Sequence, residues 1–89
     1  MRNLARAVIE AACFLELSPE SIVNQGAAVE ALDTMSGTLQ ECSSEEKQAF
    51  IAECEAEAAR WEATGQKNVA EVVAFIRSLP EALGVIDGA

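Results

Sequence analysis

Hydrophobic residues recur at intervals of three and four positions along almost the whole chain, and this spacing constrains the fold more than any other feature. In the clearest stretch, Ala28–Cys42, successive apolar positions are four, three, four and three residues apart. Such intervals place side chains on one face of an α-helix, whereas a half-buried strand alternates apolar and polar residues. Only residues 69–76 are rich in β-branched side chains, and their apolar positions also follow helical spacing. The sequence therefore predicts an all-α fold.

Local signals mark the ends of the first two predicted helices. Pro19 disfavours helical geometry at Ser18, so the first helix is expected to end just before that residue. Proline is also well suited to the first position of a helical turn, which predicts a short extra turn after Ser18. Asn24 is a suitable N-cap for a second helix over about 25–41.

The third and fourth helices carry equally local signals. Ser43 and Glu46 have the spacing of a capping box, in which a hydroxyl and a carboxylate reciprocally satisfy free backbone amides. Gly65 can take the left-handed conformation that ends a helix, so the third helix is expected to stop there. Pro80 follows the last apolar position of the fourth helix, and a C-terminal turn after Pro80 is expected to return Leu83 to the core.

These signals predict a compact antiparallel four-helix bundle. Connections of about two to eight residues make sequential helices antiparallel neighbours. Because the chain has no linker, repeat or low-complexity segment, residues 1–89 are expected to form a single helical domain with a frayed end at 86–89. The middle of the core is expected to come from residues 32–39, 50–61 and 72–76.

Gly37 lies inside the predicted second helix. An internal glycine costs about 1 kcal/mol relative to alanine, so its presence needs a structural reason. A close helix crossing or a kink is the first expectation. A hinge, a partner's backbone approaching there, or a break at 36–38 are the alternatives.

Catalytic chemistry finds little support in the residue types. The chain has no histidine, which removes the commonest general acid–base group and every Ser–His or Cys–His nucleophile pair. Its five glycines lie too far apart for a phosphate-binding loop. A metal site would depend on pairs of glutamates alone. We therefore predict no catalytic residue, no metal, no cofactor and no enzymatic activity.

The cysteines, Cys13, Cys42 and Cys54, form an odd set without a C-x-x-C pair. Each falls on or beside an apolar helical stripe, so we expect free thiols in or near the core, with a redox-sensing thiol as the alternative. Free cysteines agree with a reducing compartment. The first residues lack the continuous apolar run of a signal peptide. A cytoplasmic location is the resulting prediction.

Negative charge dominates the composition, with fifteen Asp and Glu against six Lys and Arg and a net charge of −9. Nucleic acids and anionic membranes attract basic proteins, so neither is predicted as a partner. The excess is uneven, because residues 1–9 carry +2, residues 10–59 carry −10 and residues 60–89 carry −1.

Helical spacing groups the acidic residues of this middle segment into an acidic face on the second and third helices. Such a face is either a solvated surface that keeps the protein soluble or a docking surface for a basic protein. Trp61 lies beside it, as a core residue or as an interface anchor. The candidate partner-binding residues are Glu30, Asp33, Glu46, Glu53, Glu57 and Trp61.

The predicted function is therefore non-enzymatic binding of a protein, as an adaptor, a chaperone-like subunit or a toxin-neutralising partner. The alternative is a structural homo-oligomer, because the first helix has more apolar surface than one seam requires. Its candidate oligomer face comprises Leu4, Val8, Ile9 and Phe14. A small-ligand or metal-dependent enzyme is a remote alternative.

Overall fold

Four α-helices make up most of residues 2–86, the part of the chain that the computed structural model describes. The helices are α1 (Arg2–Leu17), α2 (Gln25–Gln40), α3 (Ser44–Ala63) and α4 (Val69–Ala82). The all-α helical bundle is thus confirmed, whereas the antiparallel arrangement stays a prediction. The fraying predicted for 86–89 concerns residues that, apart from Ile86, lie outside the described part.

Side-chain caps begin α2 and α3 where the sequence predicts them. The Asn24 side chain accepts a hydrogen bond from the Ala27 amide at 3.0 Å. At the start of α3, the Glu46 amide donates to Ser43 Oγ at 3.1 Å and the Ser43 amide donates to Glu46 Oε1 at 2.8 Å. Both caps satisfy amides that have no partner within the helix, which explains why these signals are local and readable.

Two further connections also follow the prediction. In the turn after Ser18, the Ile22 amide donates to the Pro19 carbonyl at 2.8 Å. α3 ends at Ala63, and Gly65 follows with a φ of 65°, in the left-handed region that glycine adopts without a steric penalty.

Pro80 lies inside α4 and does not interrupt it. The helix continues through Pro80 to Ala82, and the proline ring is buried. The proline lacks only its own amide donor, while its carbonyl accepts hydrogen bonds from the Val85 and Ile86 amides at 2.8 and 3.1 Å. These bonds fold the following residues back, and Leu83 is buried as expected.

The core is formed by α1, α3 and α4. α3 packs most extensively against α4, and α1 contacts both of them. Alanines on the facing sides of α1 and α3 are almost completely buried and allow these helices to approach closely. The buried apolar residues of this core are Ala5, Ile9, Ala12, Phe50, Cys54, Ala58, Val73, Ile76, Leu79, Leu83 and Val85.

α2 flanks this core, so the prediction that residues 32–39 form its middle is wrong. Only Ala28 of α2 is fully buried, and the larger side chains of 32–39 are partly buried against the side of the core. α2 packs mainly on α1. A hydrogen bond from Ser36 Oγ to the Leu83 carbonyl, at 2.8 Å, also links it to the chain after α4. The apolar stripe of α2 is therefore covered mainly by one helix, α1.

Gly37 lies within the unbroken α2, and a β-carbon added there would meet nothing within 4 Å. The expectations of a close crossing or a break at this glycine are therefore wrong. The close approach occurs at Gly84, where φ is +72° and a β-carbon would lie 2.7 Å from Gln40 Nε2. Gly84 thus permits the segment after α4 to contact the end of α2.

Candidate functional site

Glu53 and Glu57 are buried, although the sequence places them on a solvent-facing acidic surface. Their exposed fractions are 4% and 6%, and they are the only buried charged side chains among residues 2–86. The prediction that they belong to an exposed acidic face is wrong. Their spacing of one helical turn does put them on the same side of α3, but that side faces α1.

Three arginines surround the two carboxylates. Arg60, one turn further along α3, donates from Nε to Glu57 Oε1 at 2.8 Å and from Nη2 to both glutamates. From α1, Arg2 Nε lies 3.4 Å from Glu53 Oε1 and Arg6 Nε lies 3.3 Å from Glu57 Oε1. We call these five residues the Arg–Glu cluster.

The cluster makes the burial of two carboxylates tolerable. An unpaired buried charge is strongly destabilising, whereas charge-assisted hydrogen bonds to guanidinium groups compensate much of the lost hydration. The side-chain hydrogen bonds to Glu57 and then Glu53 raise the pKa of Arg60 above its ordinary value. Because Arg2 and Arg6 belong to α1, the cluster also links the first turns of α1 to α3.

A second, exposed network neutralises the other side of α3. Arg77 of α4 donates to the carboxylates of Glu55 and Glu62 at 3.0–3.2 Å. The hydrogen bonds to Glu62 and Glu55 raise the pKa of Arg77. All four arginines of the chain are thus engaged with acidic residues of α3, and Arg6 also pairs with Glu10 at 3.5 Å.

Most of the acidic residues without an ion pair lie elsewhere, in residues 16–46. This segment, which we call the acidic α2 region, contains seven acidic residues and no Lys or Arg: Glu16, Glu20, Glu30, Asp33, Glu41, Glu45 and Glu46. Within residues 2–86, none of the seven forms an ion pair. Glu30 and Asp33 are exposed, whereas Glu46 is partly buried and occupied by its capping box.

A cavity of about 430 Å³, open to solvent, adjoins the Arg–Glu cluster and is lined by α1, α3, α4 and the residues that follow α3. Its apolar wall consists of Ile9, Cys13, Trp61 and Ile76. Its charged lining consists of Arg6, Glu10, Glu57 and Arg60. Trp61 is partly buried, so it is neither a fully buried core residue nor a fully exposed interface residue. The cavity is an amphipathic site that the sequence did not reveal.

The four residues of the candidate oligomer face are not on one surface. Ile9 is 1% exposed and belongs to the core, so its assignment to an outer face is wrong. Val8 is partly buried against the core. Leu4 and Phe14 are 67% and 57% exposed and remain on the outside of α1. The inward face of α1 is instead that of Ala5, Ile9 and Ala12.

All three cysteines are free thiols, with Cys54 buried and Cys13 and Cys42 partly buried. Burial first, and then the charge of Glu53, raises the pKa of Cys54 to about 12. Burial, followed by the charges of Glu57 and Glu10, also raises the pKa of Cys13. Both shifts disfavour the reactive thiolate.

The described residues contain neither a metal-ligating group nor a membrane-spanning helix. Residues 2–86 contain no group of three metal-ligating side chains that could hold an ion. None of the helices described is long and apolar enough to cross a membrane. The chain matches no protein-family model, no curated protein and no solved structure.

Proposed function

We propose that this protein acts without catalysis, by binding a basic protein partner on the acidic α2 region. The observation that carries the proposal is the separation of charge: the arginines pair with α3 and Glu10, while residues 16–46 hold seven acidic residues and no basic one. An adaptor, a chaperone-like subunit or a toxin-neutralising partner would each use such a surface.

Charge of one sign on one region favours fast, salt-sensitive association with an oppositely charged protein. α2 suits this role because it flanks the core and leaves its outer side free. Ile22 and Val29 are among the exposed large hydrophobic residues of the protein, and Val29 is adjacent to Glu30. Apolar contacts beside the carboxylates would supply affinity that screened charges alone do not.

Charge reversal on α2 is expected to abolish partner capture. In a pull-down from native lysate, Glu30→Lys/Asp33→Lys should lower the yield of basic proteins at least about tenfold, the effect of losing about 1.4 kcal/mol of binding free energy. Raising the salt concentration should release the same proteins from the wild-type protein.

The matched control is Glu71→Lys/Glu81→Lys, which makes the same change of charge on exposed, unpaired positions of α4 among the described residues. It should capture the wild-type set of basic proteins. If the two double variants lose the same proteins to the same extent, the acidic α2 region is not the docking surface.

A structural homo-oligomer is the second candidate, supported by the exposure of Leu4 and Phe14 on α1. The two side chains are separated by ten residues, and Ala7 and Ala11, also exposed, lie between them at a spacing of three, four and three. This is the a/d spacing of helices that pack in pairs. We expect wild-type protein to sediment as an oligomer at micromolar concentration and Leu4→Glu/Phe14→Glu to sediment as a monomer. A monomeric wild-type protein would contradict this candidate.

A further inference from the structure

We propose that the cavity beside the Arg–Glu cluster binds a small organic acid, a molecule with one carboxylate and a compact apolar body. Its volume of about 430 Å³ lies in the range of small-molecule sites. The cavity is lined by α1, α3, α4 and the residues that follow α3, and none of the seven acidic residues of the acidic α2 region lines it.

The charged side of the cavity offers hydrogen-bond donors. Arg6 makes its contacts with Glu10 and Glu57 through Nε. The Arg6 side chain is 50% exposed, so its guanidinium group is accessible to a ligand in the cavity. Arg60 donates to the glutamates through Nε and Nη2, which leaves Nη1 available to a ligand. Guanidinium groups only donate, so the ligand group that fits here must accept, and a carboxylate accepts with matching planar geometry.

The opposite side of the cavity is apolar. Trp61 and Cys13, which are partly exposed, supply its accessible apolar surface, while Ile9 and Ile76 are almost completely buried behind it. Such a surface gains free energy by covering a hydrocarbon or phenyl group. One molecule can bind the arginines and contact the apolar side at the same time only if its carboxylate and its apolar body lie at opposite ends.

The position of Glu10 shows how an added carboxylate is accommodated. Glu10 is an exposed rim residue at 3.5 Å from Arg6, and its side chain is 64% exposed. An exposed pair of this kind contributes little, so a ligand carboxylate can replace Glu10 at Arg6 while Glu10 returns to water. Glu57 stays in place, since Arg60 holds it.

The experiment titrates the protein with 4-phenylbutyrate and follows the fluorescence of Trp61. The chain has a single tryptophan and no tyrosine, so the emission comes from Trp61, which lines this cavity. We expect a saturable change. The uncharged 4-phenylbutanamide and the cationic 4-phenylbutylamine carry the same body and should bind at least about tenfold more weakly, as expected for loss of a charge-assisted hydrogen bond.

Variants assign the binding to Arg6. Arg6→Gln should weaken 4-phenylbutyrate at least about tenfold and leave the weak binding of the amide unchanged, which also shows that the cavity has kept its shape. Arg6→Lys retains the charge but lacks the planar guanidinium group, so its affinity for 4-phenylbutyrate should lie between those of the wild type and Arg6→Gln. Arg77→Gln removes an ion-paired arginine outside this cavity and should bind as the wild type does.

Three results would overturn the proposal. The first is no saturable change with any of the three probes. The second is equal or tighter binding of the amide or the amine. The third is unchanged affinity for 4-phenylbutyrate in Arg6→Gln.

Discussion

Replacing Glu57 with alanine is expected to lower the free energy of unfolding by about 3 kcal/mol, at the low end of the range for breaking a buried ion pair. Glu57 accepts hydrogen bonds from Arg60 and lies 3.3 Å from Arg6, so it holds α1 to α3. The substitution leaves two guanidinium groups without this carboxylate. The loss is at the low end because both arginines are partly exposed and regain water. Urea denaturation followed by circular dichroism measures it.

Glu55→Ala is the matched control. Glu55 lies on the same helix and is also paired with an arginine, but its side chain is 66% exposed whereas that of Glu57 is 8% exposed. An exposed ion pair contributes about 1 kcal/mol or less, so Glu55→Ala should cost no more than that. Alanine favours the helix at both positions, so any difference between the variants comes from burial and pairing.

Salt separates the two effects further. Added salt should reduce the small loss in Glu55→Ala, since exposed charges are screened, and should change the loss in Glu57→Ala much less. Equal losses for the two variants, with equal sensitivity to salt, would mean that the Arg–Glu cluster behaves as an ordinary surface ion pair.

The helix boundaries were predictable because their causes are local. Asn24, Ser43 with Glu46, and Gly65 each act on amides or dihedral angles within a few residues. Pro80 shows the limit of such reasoning. A proline excludes one amide hydrogen bond, but it does not prevent a last helical turn when the following chain folds back onto its carbonyl.

The face that α1 buries was not predictable from its own stripe. The apolar residues of α1 include Leu4 and Phe14, which are exposed, whereas Ala5, Ile9 and Ala12 form the buried face. Alanine contributes little to an apolar pattern, yet it permits close packing of α1 on α3. The choice between these faces is made by contacts with another helix, which the pattern of a single helix does not contain.

The candidate site was missed for the same reason. Arg2 and Arg6 are four residues apart, as are Glu53 and Glu57, so each pair lies on one side of its helix. Read along the chain, the arginines form a basic start and the glutamates an acidic segment, on separate helices. The matching spacing of the two oppositely charged pairs is the sequence signal that indicates their contact in an interface between α1 and α3.

Cys54 is expected to resist alkylation far more strongly than the other thiols. At pH 8, iodoacetamide should modify Cys42 first, Cys13 more slowly, and Cys54 about a thousandfold more slowly than an unperturbed thiol, because its pKa is raised from 9.0 to about 12 by burial and by Glu53. Peptide mass analysis over time gives the three rates. In denaturant all three should react alike, and comparable native rates at Cys42 and Cys54 would contradict the buried position.

The same shift makes stability depend on alkaline pH. Between pH 9 and about 12 the folded protein keeps the proton of Cys54 while the unfolded chain loses it, so the unfolded state binds fewer protons. The free energy of unfolding should therefore fall as the pH rises above 9, by up to about 1.4 kcal/mol per pH unit from this group. Cys54→Ala should remove that part of the slope. Cys13, whose pKa is also raised, contributes its own part of the slope in both proteins, so an identical slope in Cys54→Ala would show that Cys54 is not a group responsible.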